Sequence, residues 1–413
     1  MGDVRGLEEG LRKALLLDGT SLLAELISLI KAPDDHPQPG EKCHPGRKLV
    51  IQSLLGPLTI SRRYYFDRSK ARGLRGRCPL DQHLGLFGCY TPGFARIASR
   101  AAGQSSYGEA SADLAALAGL EAGPRQLQRL CQDVGAALRE KLKRLPAPPA
   151  VAVPIMYVET DGTGVPMNRQ ALAGAKGRGA DGPAKTREVK TGCVFTQTGL
   201  NKEGQPERDE DSTTWIAGIE TAGDFGPKLR DEAKRRGIAK AARVVFLGDG
   251  AAWIWSLARQ YFPEATCILD FWHASEYLIA MAKLIHPGAA AMATATALYT
   301  RWRGEMARSK IADILIEAKA SLGQEGIDRP GLEEKINYLE NQQTRMDYAA
   351  YRAAGFFIGS GIVEAGCKKV IGARFKCSGM FWSEPGAKNL LHIRTALLSQ
   401  TRFDDFWAAR SAA

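Results

Sequence analysis

Three stretches restrict this chain more than any others, because each carries an apolar segment up to a carboxylate. The first, VAVPIMYVETD (151–161), is a run of strand length that ends at Asp161 and is followed by Gly162, Thr163 and Gly164. The second, RVVFLGDGAAW, is another apolar run, ending at Asp249 and Gly250. The third, GSGIVEAGCKK, has helical periodicity; Glu364 borders the stripe formed by Val363, Cys367, Val370 and Ile371. Acids at the ends of separate strands, with a third on a helix, are the pattern of an α/β sheet that gathers side chains at one edge.

The intervening sequence supports that class. After the first strand, candidate strands at 189–198 and 213–221 precede a helix at 225–236, a strand at 243–247, a helix at 251–261, a strand at 265–269 and a helix at 275–285. Three strands followed by alternating strand and helix predict a mixed sheet. Residues 286–355 are rich in Ala, Leu and charge and predict an all-helical insertion. Residues 174–190 are Gly-rich and basic and predict a mobile loop. Helices are expected at 359–371 and 387–398.

Upstream of the sheet, LPAPPA (145–150) is a Pro-rich linker and marks a domain boundary. Before it, Leu7, Leu11, Leu15, Leu22, Leu26 and Ile30 recur at helical spacing and predict one amphipathic helix over 1–31. RKLVIQSLL and LTISRRYYF flank Gly56-Pro57 as a β-hairpin, followed by a basic stretch in which Arg62, Arg63, Arg68, Lys70, Arg72, Arg75 and Arg77 interleave with Tyr64, Tyr65 and Phe66. Such a stretch suits phosphate contact and base stacking, and equally a charged hairpin edge. Helices at 108–118 and 125–144 are separated by GLEAG, with Arg125, Gln128 and Arg129 at the start of the second. This is a helix-turn-helix pattern that fits DNA reading and also a plain packed helical hairpin.

The formal charge of +11 suits a polyanionic partner, although charge alone fits a merely soluble basic protein as well. The start MGDVRGLEEGLRK has no apolar core behind basic residues, so no signal peptide is expected, and no run reaches membrane-span length. The eight cysteines lie singly, which fits a reducing cytoplasm and argues against structural zinc. GxGxxG at a strand-to-helix turn, Gly-x-Ser-x-Gly and the Gly-Lys-Ser/Thr phosphate loop are all missing.

If Asp161, Asp249 and Glu364 converge, they offer hard oxygen ligands to Mg²⁺ or Mn²⁺. Two such ions about 4 Å apart would serve phosphoryl transfer. Each acid also has an ordinary use: Asp161 in a turn, Asp249 as a helix cap, and Glu364 paired with Lys368. In CILDFWHASEYL, Asp270 and His273 follow a strand; His273 fits either a general acid–base or a packed histidine. RFKCSGMFW supplies Arg374, Lys376 and Trp382, which fit a grip on a DNA strand end or a packed tail.

The blocks YVETDGTGVPM, TREVKTGCVFTQ, FLGDGAAWIW, LDFWHASEYL, GSGIVEAGCKKVIGARFKCSGMFW and GAKNLLHIRTALLS cover most of 151–400, and in order and spacing they resemble DDE transposases of bacterial insertion sequences. The likeness is to the IS-Kra type, with a core related to Mutator-like transposases; PLTISRRYYF and CPLDQHLGL resemble the same family. The resemblance implies a ribonuclease-H-like catalytic domain with an all-helical insertion, preceded by a mostly helical DNA-binding region with a β-hairpin. The implied layout is 1–90, 91–145, a split catalytic core at 151–285 and 356–413, and the insertion at 286–355. Asp161, Asp249 and Glu364 match the family's catalytic triad, holding two metal ions, and His273 matches the Asp/Cys-x-x-His motif. Arg125, Gln128, Arg129, Arg374, Lys376 and Trp382 are the expected DNA contacts. The expected partners are terminal inverted repeats and target DNA, bound by a homo-oligomer at the bacterial nucleoid. Relatives often carry a cysteine-paired zinc element after the hairpin, whereas YYFDRSKARGLRGRC keeps only Cys78. The competing classes are an inactive transposase-derived DNA-binding protein and a nuclease of the same fold that does not join strands.

Overall fold

The computed structural model describes residues 3–142, 152–173 and 184–411. The Pro-rich linker and most of the Gly-rich loop lie outside these. The chain divides into two compact units: Met1–Arg144 with Ser383–Leu397 and Thr401–Ala413, and Leu145–Trp382 with Leu398–Gln400. This corrects the expectation that 356–413 closes the catalytic core as one piece. The chain crosses back to the first unit at Ser383.

In the first unit, helix α1 (Val4–Leu29) lies on the hairpin β1 (Lys42–Ser53) and β2 (Gly56–Phe66), which a short β3 (Gly76–Arg77) extends. Leu23, Ala24 and Ile27 of α1 meet Ile51, Leu58 and Ile60 of the hairpin. The residues that predicted the helix are not the ones it buries. Val4, Leu7, Leu11, Leu15, Leu22, Leu26 and Leu29 form a separate stripe, 52–75% exposed. The hairpin is a single narrow layer and covers only one side of the helix.

Around β2, most of the basic residues serve the fold. Arg77 forks onto Glu41 at 2.7–3.0 Å and lies over Tyr65, Arg63 reaches Asp35, and Arg62 reaches Asp81. The guanidinium of Arg77 holds the Glu41 carboxyl down at about 2. Arg68, Arg72 and Arg75 stay exposed.

Next come α2 (Pro79–His83), α3 (Pro92–Gln104), α4 (Tyr107–Asp113), and α5 (Pro124–Leu142). A π-turn over Leu114–Ala118 extends α4, and Gly119 ends it in the left-handed region at φ 67°. Arg125, Gln128 and Arg129 are exposed on the first turns of α5. The opposite face of α5, with Leu127, Leu130, Val134 and Leu138, is buried, and Gly135 lets the Asn389 backbone of α15 (Glu384–Leu397) approach closely. α16 (Arg402–Ser411) ends the chain, with Asp404 bridging Arg96 and Arg100 of α3 at 2.9–3.1 Å.

The second unit is a mixed α/β structure around a five-stranded sheet. Its strands are β4 (Val153–Pro166), β5 (Thr186–Gln197), β8 (Thr214–Gly218), β9 (Ala241–Gly248) and β10 (Thr266–Leu269); a small ribbon, β6 (Gly199–Leu200) and β7 (Pro206–Glu207), lies apart. The order is β10-β9-β4-β5-β8, antiparallel between β4, β5 and β8 and parallel between β4, β9 and β10. Helices α6 (Ala222–Arg235), α7 (Ala252–Tyr261) and α8 (Phe271–Ile285) follow β8, β9 and β10. Residues 286–355 carry α9 (Met292–Met306), α10 (Ile311–Ala320), α11 (Arg329–Glu340) and α12 (Tyr348–Ala353) around the fully buried Trp302, whose Nε1 donates to Glu317 at 2.8 Å. α13 (Gly361–Gly366) leads through a π-turn at Cys367–Gly372 into α14 (Ala373–Phe375). Among the described residues no helix is long and apolar enough to cross a membrane, and all eight cysteines are free.

The two sides of α1 yield a direct test. Ile51→Ala, in the hairpin core, is expected to lower the unfolding free energy by about 2–4 kcal/mol. Leu11→Ala, on the exposed stripe, is expected to change it by less than about 0.5 kcal/mol. Urea denaturation of both variants checks this.

Candidate active site

Pleating puts Tyr157, Glu159 and Asp161 on one face of β4, and the segment 357–367 lies across that face. Tyr157 Oη accepts from the Phe357 amide at 3.1 Å, and Glu159 Oε2 accepts from the Val363 amide at 2.8 Å. Asp161 Oδ2 accepts from Cys367 Sγ at 3.3 Å. On the other face, Gly192 of β5 lies against Leu229 and Phe225 of α6.

Asp161 is not at a strand end. β4 continues to Pro166, paired with β5 throughout, while its parallel partner β9 stops opposite Glu159. Asp161 therefore stands where β4 outruns β9. The Gly-rich sequence that suggested a turn is a ribbon instead. A Cβ at Gly162 or Gly164 would crowd Glu188 or Thr186 across the ribbon.

Asp249 follows β9 directly, in a tight turn. Its Oδ1 accepts from the Ala251 amide at 3.0 Å, and Gly250 adopts φ 94°. A helix of the 286–355 region holds this turn. Tyr338 Oη donates to the Asp249 carbonyl at 2.8 Å, and nearby Gln342 donates to the Gly250 carbonyl at 3.2 Å. A Cβ at Gly250 would run into the Tyr338 hydroxyl. Tyr338 stacks on Tyr277 with centroids 3.7 Å apart. The sequence marked this region only as an insertion, because a Tyr and a Gln on an amphipathic helix carry no signal of their destination.

Glu364 is placed by two buried acids. Asp270, 1% exposed, caps α8 through the His273 amide and accepts from both the amide and the hydroxyl of Ser360, the latter at 2.9 Å. Glu159 holds the Val363 amide one turn further on. Together they satisfy amides at the start of α13 that the helix itself cannot. Gly366 then lets α13 rest against the Trp215 ring. Neither Glu159 nor Ser360 stood out in sequence: Glu159 sits in an apolar strand two residues before the more conspicuous Asp161.

The electrostatics link the carboxylates. Burial pushes the Asp161 carboxyl up against the pull of the Cys367 and Gly162 hydrogen bonds, and Asp249 and Glu188 add to the rise. Burial and then Asp270 and Asp161 push Glu364 up. Burial raises Glu159 to about 8, against the pull of the Val363 amide, and burial raises the Cys367 thiol to about 12. The site is thus crowded with like charge and offers oxygen donors, a chemistry that fits a hard divalent ion. Among the described residues, no three Asp, Glu, His or Cys side chains already converge closely enough to hold one.

The remaining expected site residues divide. His273 faces Tyr277 and Tyr338 at 5.4 and 6.2 Å between centroids, with Nδ1 3.5 Å from Glu276. It adjoins the Asp249 turn through Tyr338. Lys376 is exposed, and its Nζ donates to Thr163 Oγ1 of the ribbon at 2.6 Å. Arg374 and Trp382 are corrections: they are 0% and 7% exposed. The RFKCSGMFW segment folds back so that Arg374 stacks on the Trp382 ring, and the indole donates to the Phe375 carbonyl at 3.1 Å. The ring that reaches solvent there is Phe381, 69% exposed.

The protonation of Glu159 has a measurable consequence. In metal-free protein, folded and unfolded states both hold this proton below about pH 4.5. Between there and about 8 only the folded state retains it, so stability falls as pH rises, and the loss ends above 8. Glu159→Gln is expected to flatten this dependence and to stabilise the chain at pH 8 by on the order of a few kcal/mol. Chemical denaturation in chelator at several pH values checks it.

No protein-family model matches the chain, and no curated protein matches it. Among solved structures, the chain is similar to the Drosophila P element transposase strand transfer complex, at 10% identity over 79% of this chain and 81% of that chain, with a TM-score of 0.27. A likeness of that size supports no conclusion about fold or function.

Proposed function

We propose that the chain is a DDE-type DNA transposase, acting on the ends of an insertion sequence of the IS-Kra type. The observation that carries this reading is that Asp161, Asp249 and Glu364, far apart in sequence, come from β4, the turn after β9 and α13 to one edge of the sheet. There Asp161 is electrostatically coupled to each of the other two. Strand order β10-β9-β4-β5-β8, with an antiparallel meander on one side of β4 and parallel strands on the other, supports a ribonuclease-H-like core.

In this reading Asp161, Asp249 and Glu364 hold Mg²⁺ or Mn²⁺, two ions being expected. When bound, such ions polarise the scissile phosphate and the attacking oxygen. Asp249 is presented by the clamped Gly250 turn. Glu364 is positioned by Glu159 and Asp270 through the backbone of α13. Lys376, beside the ribbon, supplies a cation for the DNA backbone. Arg125, Gln128 and Arg129 on α5 read the terminal repeats. Water displaces a 3′-oxygen from the phosphodiester at the element's end, and the freed 3′-hydroxyl then attacks a target phosphate and displaces the target's own 3′-oxygen, within a homo-oligomer at the nucleoid of a bacterial cytoplasm.

A second reading, a DNA-binding protein without catalysis, is favoured by the acids not being gathered into a ready ion site. Cleavage separates the two. With Mg²⁺ and duplex DNA carrying the sequences that flank this gene, the parent is expected to nick strands and to join a pre-cut 3′ end. Asp161→Asn, Asp249→Asn and Glu364→Gln are each expected to lose about 100-fold or more in rate while retaining DNA affinity. Because burial and like charge raise the Asp161 and Glu364 carboxyls, activity should fall on the acid side as these groups take up protons and release metal. A parent that binds the DNA as its variants do but neither nicks nor joins it would leave only the binding reading.

A further inference from the structure

Beside the start of α8 lies a solvent-open cavity of about 300 Å³ that the proposed chemistry does not use. Phe271 and Trp272 of α8, Tyr299 and Arg303 of α9, and Arg352 of α12 line it. Trp272 is 58% exposed, whereas Trp215, Trp255, Trp302, Trp382 and Trp407 are all buried. Its ring edge lies 3.1–3.2 Å from the position a Cβ would take on Gly359, one residue before the Ser360 that Asp270 holds. The cavity thus adjoins the segment carrying Glu364.

Two cations stand beside the indole. Arg303 lies 4.7 Å from the Trp272 centroid and 5.8 Å from that of Phe271, and Arg352 lies 5.3 Å from Phe271. Among the described residues, neither guanidinium meets a carboxylate. Arg301, two positions away, shows the ordinary outcome on the same helix: it is committed to Glu305 and Glu317. Two uncompensated guanidiniums call for an anion. An open indole calls for a flat apolar face. An inorganic anion leaves the indole unused, and an apolar ligand leaves the arginines unused.

We propose that this cavity binds one unpaired nucleotide, with its base against Trp272 and its phosphate held by Arg303 and Arg352. The volume is at the lower end for a ligand pocket and suits a single nucleotide. Bases within a duplex are stacked on one another and present no free face, so the occupant is a single-stranded or extruded nucleotide. As a DNA contact this rests on the transposase reading. A free mononucleotide has the same chemistry, and the test distinguishes the two sources.

Fluorescence anisotropy would compare three probes at fixed salt: a blunt duplex, the same duplex with a three-nucleotide 3′ overhang, and the overhang probe competed with deoxynucleoside monophosphates. Trp272→Ala is expected to weaken overhang binding about tenfold and to leave blunt-duplex binding unchanged. Trp272→Phe should restore most of the loss, which a merely structural role would not predict. Arg303→Ala with Arg352→Ala should abolish the overhang preference, with circular dichroism confirming that the variants fold. Equal losses on both duplexes, or none on either, would overturn the proposal. Competition by monophosphate at concentrations far below those at which the overhang loses preference would reassign the cavity to free nucleotides. A parent that binds the overhang but no duplex and cuts nothing would leave the cavity assignment standing and remove the transposase reading.

Discussion

The second unit depends on two carboxyl groups that never reach solvent. Glu159 and Asp270 each accept from the chain between Ser360 and Val363, and so join the central strand and the cap of α8 to one short helix. A buried acid is costly unless neutralised or hydrogen-bonded. Glu159 meets the cost partly by holding its proton, and Asp270 by capping an α8 amide and accepting twice from Ser360. Removing either acid would free the start of α13 and let Glu364 drift.

Much of this was legible in the residues. The apolar runs at 153–161 and 243–247 became strands because their β-branched and aromatic content and their alternation suit a pleat. The alternation of strand and helix afterwards set the mixed sheet. Asp249 was correctly placed after its strand, since Gly250 must adopt a left-handed backbone. Periodicity found α1 but not its buried side, because leucines of equal spacing occupy both sides and only the hairpin decides which is covered.

What the sequence hid is of one kind: contacts made at long range by residues with no distinctive local pattern. Tyr338 and Gln342 brace the Asp249 turn from about ninety positions away. Arg374 and Trp382 looked like a nucleic-acid grip because a cation near an aromatic reads the same whether it faces solvent or the core. Their burial follows from the chain folding back on itself, which no local spacing announces. The return of 383–397 to the first unit is equally invisible, since an amphipathic helix does not state its partner.

The stretch of β4 and β5 beyond the end of β9 behaves as a cantilever. Past Glu159 it has no parallel neighbour, and beyond Gly162, where β8 also ends, the two strands stand alone and twist more freely than a sheet. Its far end is riveted: the Trp382 amide donates to the Pro166 carbonyl, the Asn168 amide donates to the Trp382 carbonyl, and Arg374 clamps the indole. Asp161 sits at the fulcrum. Loosening the rivet at Trp382 would therefore let the two-stranded end swing from just beyond Asp161, so that two buried side chains at its tip help set where that carboxylate points.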